Sequence, residues 1–92
     1  MSNIIKQYAE QQLMLAANNH KRLLFLSDTC AQSATDFLEL GKIDQVSVQS
    51  DLAMEYGKAA RLAEKVMCFW EAAVDNAHNP DALASLFLQT GV

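Results

Sequence analysis

Four residues toward the C-terminal end, Cys68, Glu71, Asp75 and His78, carry side chains of the types that bind transition metals, at spacings of three, four and three. On a helix they fall within an arc of about 80°. Successive turns carry such residues along the axis, however, so one helix does not aim four ligands at one ion. Di-iron bundles draw Glu-x-x-His pairs from facing helices, and no Glu here has a His three residues on. For nucleophilic chemistry the residues would be Cys30 or Cys68 with His20 or His78. That chemistry also needs an oxyanion hole, and the sequence offers no strand-turn-helix to build one. A Gly-rich phosphate loop is missing too. The expectation is a non-enzymatic protein with no catalytic, cofactor-binding or metal residues, in which Cys68 packs while Glu71, Asp75 and His78 are solvated.

The totals agree with that class. Ninety-two residues, half of them apolar, make one domain with a modest core, for which self-association is a common source of added stability. A net charge of −4 argues against nucleic acid as a partner. His20-Lys21-Arg22 is the one basic cluster, and no Lys or Arg follows Lys65. Lys6 and Glu10 interrupt the start of the chain, so it does not read as a signal peptide. Apolar runs such as Leu13–Ala17 are far short of the roughly 20 residues of a transmembrane segment. A cytoplasmic protein is expected, with Cys30 and Cys68 as free, largely buried thiols.

Three helices must position these side chains. Residues 2–40 contain no Gly or Pro, and apolar residues at Ile5, Tyr8, Leu15, Leu23, Leu26, Cys30, Ala34, Phe37 and Leu40 mark one stripe. The weakest point is Asn18-Asn19-His20, where Asn competes for backbone hydrogen bonds. Gly41 stands where a helix C-cap belongs, and 41–44 reads as a tight turn. Asp44 reads as the next N-cap, with Ile43 and Val48 in the places of a hydrophobic staple. The second helix then covers 45–78. Its stripe is Val48, Leu52, Ala59, Ala63, Val66, Trp70 and Ala73, broadened by Leu62 and Phe69. Gly57 inside it costs roughly 1 kcal/mol against Ala unless close packing offsets the loss. Asn79 caps a short third helix, 80–89, opened by Pro80 and ending before Thr90-Gly91.

An antiparallel hairpin centred near Lys42 sets residue i against a residue near 85 − i. That places Phe37 on Val48, Ala34 on Leu52, Leu26 on Ala59, Leu23 on Leu62, and Ala16 on Phe69 or Trp70. It also keeps Cys30 and Cys68 roughly 20 Å apart at the helical rise, beyond disulfide reach. Ile4, Leu13, Met14, Leu24, Phe25, Leu38, Met54, Met67 and Val74 fall outside this interface. A helix apolar on more than one face needs a second surface. A homodimer forming a four-helix-type bundle, or the third helix folding back, would supply it. Met14, Phe25, Met54, Met67, Trp70 and Val74 are the expected interaction surface, since Met repacks around partners and Trp anchors interfaces.

The stretch LELGKIDQVSVQSDLAMEYGKAARLAEKV, Leu38 to Val66, resembles the central segment of phasins, the bacterial helical proteins that coat polyhydroxyalkanoate granules. The shared pattern is a helix end, a short linker and a helix opening with Val48-Gln49-Ser50-Asp51-Leu52-Ala53. The chain departs from that family in lacking an Ala/Lys-rich tail and in carrying Cys68, Trp70 and a Pro-started third helix. The resemblance implies an all-α fold and a partner in an apolar granule surface, met through amphipathic helices. The alternative is a small adaptor, chaperone or inhibitor, of the kind phages and mobile elements encode, that binds one protein partner. A secreted two-helix effector would carry Trp-x-Gly at the turn, where this chain has Leu40-Gly41-Lys42.

Overall fold

The computed structural model describes residues 2–89, with side-chain surroundings for 4–88; Thr90 and Gly91 lie outside the described residues. It contains helix α1 (Ser2–Glu39), helix α2 (Ile43–Asp75) and helix α3 (Pro80–Gln89), and no strand among the described residues. The first two pack along their length as an antiparallel hairpin, and α3 folds back on the open end. α1 is continuous through Asn18 and Asn19, where the Arg22 guanidinium donates to the Asn19 side-chain oxygen at 3.2 Å.

The turn is closed by the backbone. Gly41 takes φ +74°, Lys42 N–H donates to Phe37 O at 2.9 Å, and Gly41 N–H donates to Leu38 O at 3.1 Å. This is the Schellman pattern, which satisfies the last carbonyls of α1. The tight closure starts α2 at Ile43, earlier than capping at Asp44 requires. Lys42 is the N-cap, and it makes no side-chain cap bond because it has no acceptor. Asp44 instead lies in the first turn, where a carboxylate suits the positive end of the helix. No staple forms, for Ile43 is already helical and both Ile43 and Val48 are exposed.

At its far end α2 stops at Asp75, short of His78. The Asn76 side-chain amide donates to the Ala72 carbonyl at 2.7 Å, drawing the backbone into a turn. α3 then begins as the sequence indicates, with Ala82 N–H donating to Asn79 Oδ1 at 3.2 Å and Pro80 in the first position.

The hairpin register lies within a turn of the expected one, but α2 is rotated. Ser27 Oγ donates to Ala53 O at 2.9 Å and lies beside Gly57. Ala9 clusters with Ala73, and Tyr8 stacks edge-on with Trp70. In α1 the positions Ala9, Leu13, Ala16, His20, Leu23, Ser27, Cys30, Ala34 and Phe37, at alternating steps of four and three, are all buried or half-buried. In α2 the positions Val46, Gln49, Ala53, Tyr56, Ala60, Ala63, Met67, Trp70 and Val74 keep the same rhythm and are likewise buried or half-buried, and Ala77 continues it in the turn beyond. Two such seven-residue repeats make a left-handed coiled-coil pairing. Leu13, Met67 and Val74 therefore belong to the seam, whereas Val48, Leu52, Leu62 and Val66 point out of it, 51, 40, 63 and 49 % exposed. The expected partners of Phe37, Ala34 and Leu23 are thus displaced onto an outer face. The small residues of α2 face α1 because they let two backbones approach along many turns, which a ridge of Leu and Val would hold apart.

The molecule is a rod of 60 × 22 × 13 Å with a radius of gyration of 18.4 Å, where a compact chain of this length has about 12 Å. A 13 Å thickness is one layer of helices.

The two helical-hairpin glycines respond oppositely to alanine. Gly41→Ala should cost about 1 kcal/mol, because a Cβ disfavours its left-handed backbone. At Gly57 an added Cβ meets only Ser27 Oγ, at an ordinary 3.6 Å. Gly57→Ala should therefore gain up to about 1 kcal/mol, or about 4–8 °C in Tm. Thermal unfolding followed by circular dichroism checks both signs.

Candidate interaction surface

Among the described residues every buried side chain except Leu83 is an alanine, and no large side chain is fully enclosed. The large apolar residues outside the seam lie exposed on the two broad faces of the layer and along its edges. Heptad position sorts them, since in an antiparallel pair like flanks share a face.

One face carries Leu24 and Leu38 of α1 with Met14 beside them, and Met54 of α2. Near the turn this face holds an open groove lined by Ala31, Ala34, Thr35, Leu38, Val46, Ser50 and Ala53. Small side chains at Ala31, Ala34, Ser50 and Ala53 leave the groove floor low. Ser27 sits on the same flank, its hydroxyl turned inward to the Ala53 carbonyl.

The opposite face carries the displaced stripe Val48, Leu52, Ala59, Leu62 and Val66. α3 covers its continuation. Leu83 is buried with Ala9 and Ala73, and Trp70, Val74, Leu86 and Phe87 pack against them. Phe69 makes edge-to-face contacts with Trp70 at 4.9 Å and with Phe87 at 5.4 Å, and Tyr8 meets Trp70 at 5.8 Å between centroids. Such pairs contribute beyond the area they bury. A second shallow apolar groove runs along α3, lined by Ile5, Ala77, His78, Pro80, Leu83, Ala84 and Phe87.

The six residues expected to form one interaction surface are therefore divided. Met14, Phe25 and Met54 are 66, 68 and 60 % exposed, with Phe25 on the outer edge of α1 away from α2. Met67 and Val74 fill the seam, and Trp70 closes the aromatic cluster under α3. The sequence reading missed the outward stripe from Val48 to Val66. Its signal was present as a second, alanine- and glycine-marked stripe at Ala53, Gly57, Ala60 and Ala63, which competes for the facing position.

The cysteines are free; Cys30 is half-buried, while Cys68 is exposed and not packed as expected. Cys68 lies on the outward side of α2, where the rotation of that helix leaves it uncovered. Among the described residues no three His, Cys, Asp or Glu side chains are grouped closely enough to hold a metal ion. No helix among them is long and apolar enough to cross a membrane. The chain matches no protein-family model, no curated protein and no solved structure.

The division of roles has a measurable consequence. Trp70→Ala removes the ring that Tyr8 and Phe69 share, and should cost about 2–3 kcal/mol in urea unfolding, the low end for a half-buried aromatic. Phe25→Ala, on the exposed edge, should change stability by less than about 0.5 kcal/mol.

Proposed function

We infer that the chain is a non-enzymatic, phasin-like coating protein, which lies with one broad face on the apolar surface of a storage granule and keeps the charged outer edges of its helices in the surrounding water. The observation that carries this reading is the single-layer shape. A hairpin 60 Å long and 13 Å thick, with Met14, Leu24 and Met54 exposed on one face, spreads apolar side chains over a long, shallow surface. Such a surface suits an extended apolar interface better than a small ligand, which needs a concave site that encloses it. Amphipathic helices bind interfaces in proportion to the apolar area they bury, with no need of one anchor residue. The resemblance of Leu38–Val66 to the phasin segment points the same way.

One feature favours a second reading, a small adaptor for a single protein. The groove between Ala31, Ala34, Ser50 and Ala53 could seat one large side chain of a partner.

Co-sedimentation with polyhydroxybutyrate particles separates the two. A coating protein should bind saturably, with Met14→Lys alone weakening binding by about threefold and the triple change Met14→Lys, Leu24→Lys, Met54→Lys by roughly thirtyfold, because small apolar contributions add. Failure to bind, or a triple variant that binds as the parent does, removes the granule reading. An adaptor should ignore the particles and lose its partner by roughly 2 kcal/mol on one change in the groove.

A further inference from the structure

We propose that the face bearing Val48, Leu52, Ala59, Leu62 and Val66 is a self-association surface, on which a second copy of this chain packs α2 against α2 in antiparallel, two-fold fashion.

The first argument is area. The chain exposes 6683 Å², about 1,400 Å² more than a folded monomer of its mass usually does. A standard protein interface removes about 800 Å² from each partner, so the surplus is sufficient for a stable dimer. The interior makes the same point, since it holds alanines and no large enclosed side chain, which leaves the long hairpin short of buried apolar area.

The second argument is that this face already receives a helix. α3 lies over its open end, with Leu83 buried against Ala9 and Ala73 and with Phe87 on Phe69. Val66 and Leu62 continue the Phe69–Ala73 stripe by steps of three and four, so a helix of a second copy meets the same chemistry where α3 stops. The opposite face, by contrast, is covered by none of the described residues.

Charge selects the orientation. The positions that flank the stripe on the outer side of α2 are Asp44, Asp51, Lys58 and Lys65, acidic in the first half of the helix and basic in the second. Antiparallel pairing centred between Glu55 and Ala59 sets Leu52 near Leu62 of the second copy and Val48 near its Val66. It brings Asp51 toward the opposite Lys65, while Lys58, which nears its own twin at the two-fold axis, is paired with Glu55 of its own helix. Parallel pairing would set like charges side by side. In the antiparallel arrangement each α3 approaches the turn of the other copy, where Leu40 and Ile43 are exposed.

The inference is independent of the granule reading, and a dimer that ignores polyester particles would leave it standing. Sedimentation equilibrium of the full chain should give twice the 10.2 kDa chain mass at micromolar concentration. Leu62→Lys should weaken the dimer by roughly tenfold or more, as removal of a central apolar anchor does, while Leu24→Lys on the other face leaves it intact. A monomeric parent chain, or the reverse response of the two variants, overturns the proposal. Should Leu62→Lys fail to fold, cross-linking decides. In a Cys30→Ser, Cys68→Ser background, Ala59→Cys should be joined to its twin by a short bismaleimide and Met54→Cys should not. Absence of linking at position 59 overturns the proposal equally.

Discussion

The close approach of α1 and α2 along a seam of small side chains governs the rest of this molecule. Ala9, Ala16 and Ala34 on one helix and Ala60, Ala63 and Ala73 on the other are its buried members, with Ala77 in the turn beyond. None of them extends far, and at mid-hairpin Ser27 reaches across to the Ala53 carbonyl beside Gly57. Many short dispersion contacts, each small, then replace a few large buried side chains. The seam also holds polar or half-polar residues, His20, Ser27, Gln49 and Tyr56, which a layer one helix deep leaves in partial contact with water.

That choice of interface displaces the larger aliphatic residues outward. Val48, Leu52, Leu62 and Val66 occupy one face and Met14, Leu24, Leu38 and Met54 the other, so the layer is apolar on both sides. α3 is the chain's own partial remedy. It folds over the end where Tyr8, Phe69 and Trp70 gather, and there it builds a mixed aromatic and aliphatic cluster. Toward the turn no described residue repeats that cover, and the apolar faces stay open there.

Much of the fold was legible in the sequence, for identifiable reasons. The absence of Gly and Pro from 2–40, the Gly at 41 and the Asn79-Pro80 pair punctuate the chain by local backbone chemistry that needs no tertiary context. The capping of α2 was less legible. Asp44 has the side chain of a cap, yet the Schellman closure at Gly41 and Lys42 places the first helical turn ahead of it. The end of α2 was misplaced for a related reason, since Asn76 bonds back to Ala72 within a run that otherwise reads as helix.

What the residues by themselves determined is the secondary structure, the antiparallel order of the helices and the approximate register, because hairpin register follows from where the turn falls. What only the tertiary structure decided is which stripe of α2 faces α1. Two apolar stripes lie about 100° apart on that helix, one of Leu and Val and one of Ala and Gly, and hydrophobicity alone favours the larger. Distance of approach reverses the order, since the smaller residues allow contact along the entire length. That rotation moved Met67 and Val74 into the seam, left Cys68 exposed, and set Val48 to Val66 on the face that α3 only partly covers. Neither composition nor periodicity carries that information, because it depends on the shape of the helix on the other side.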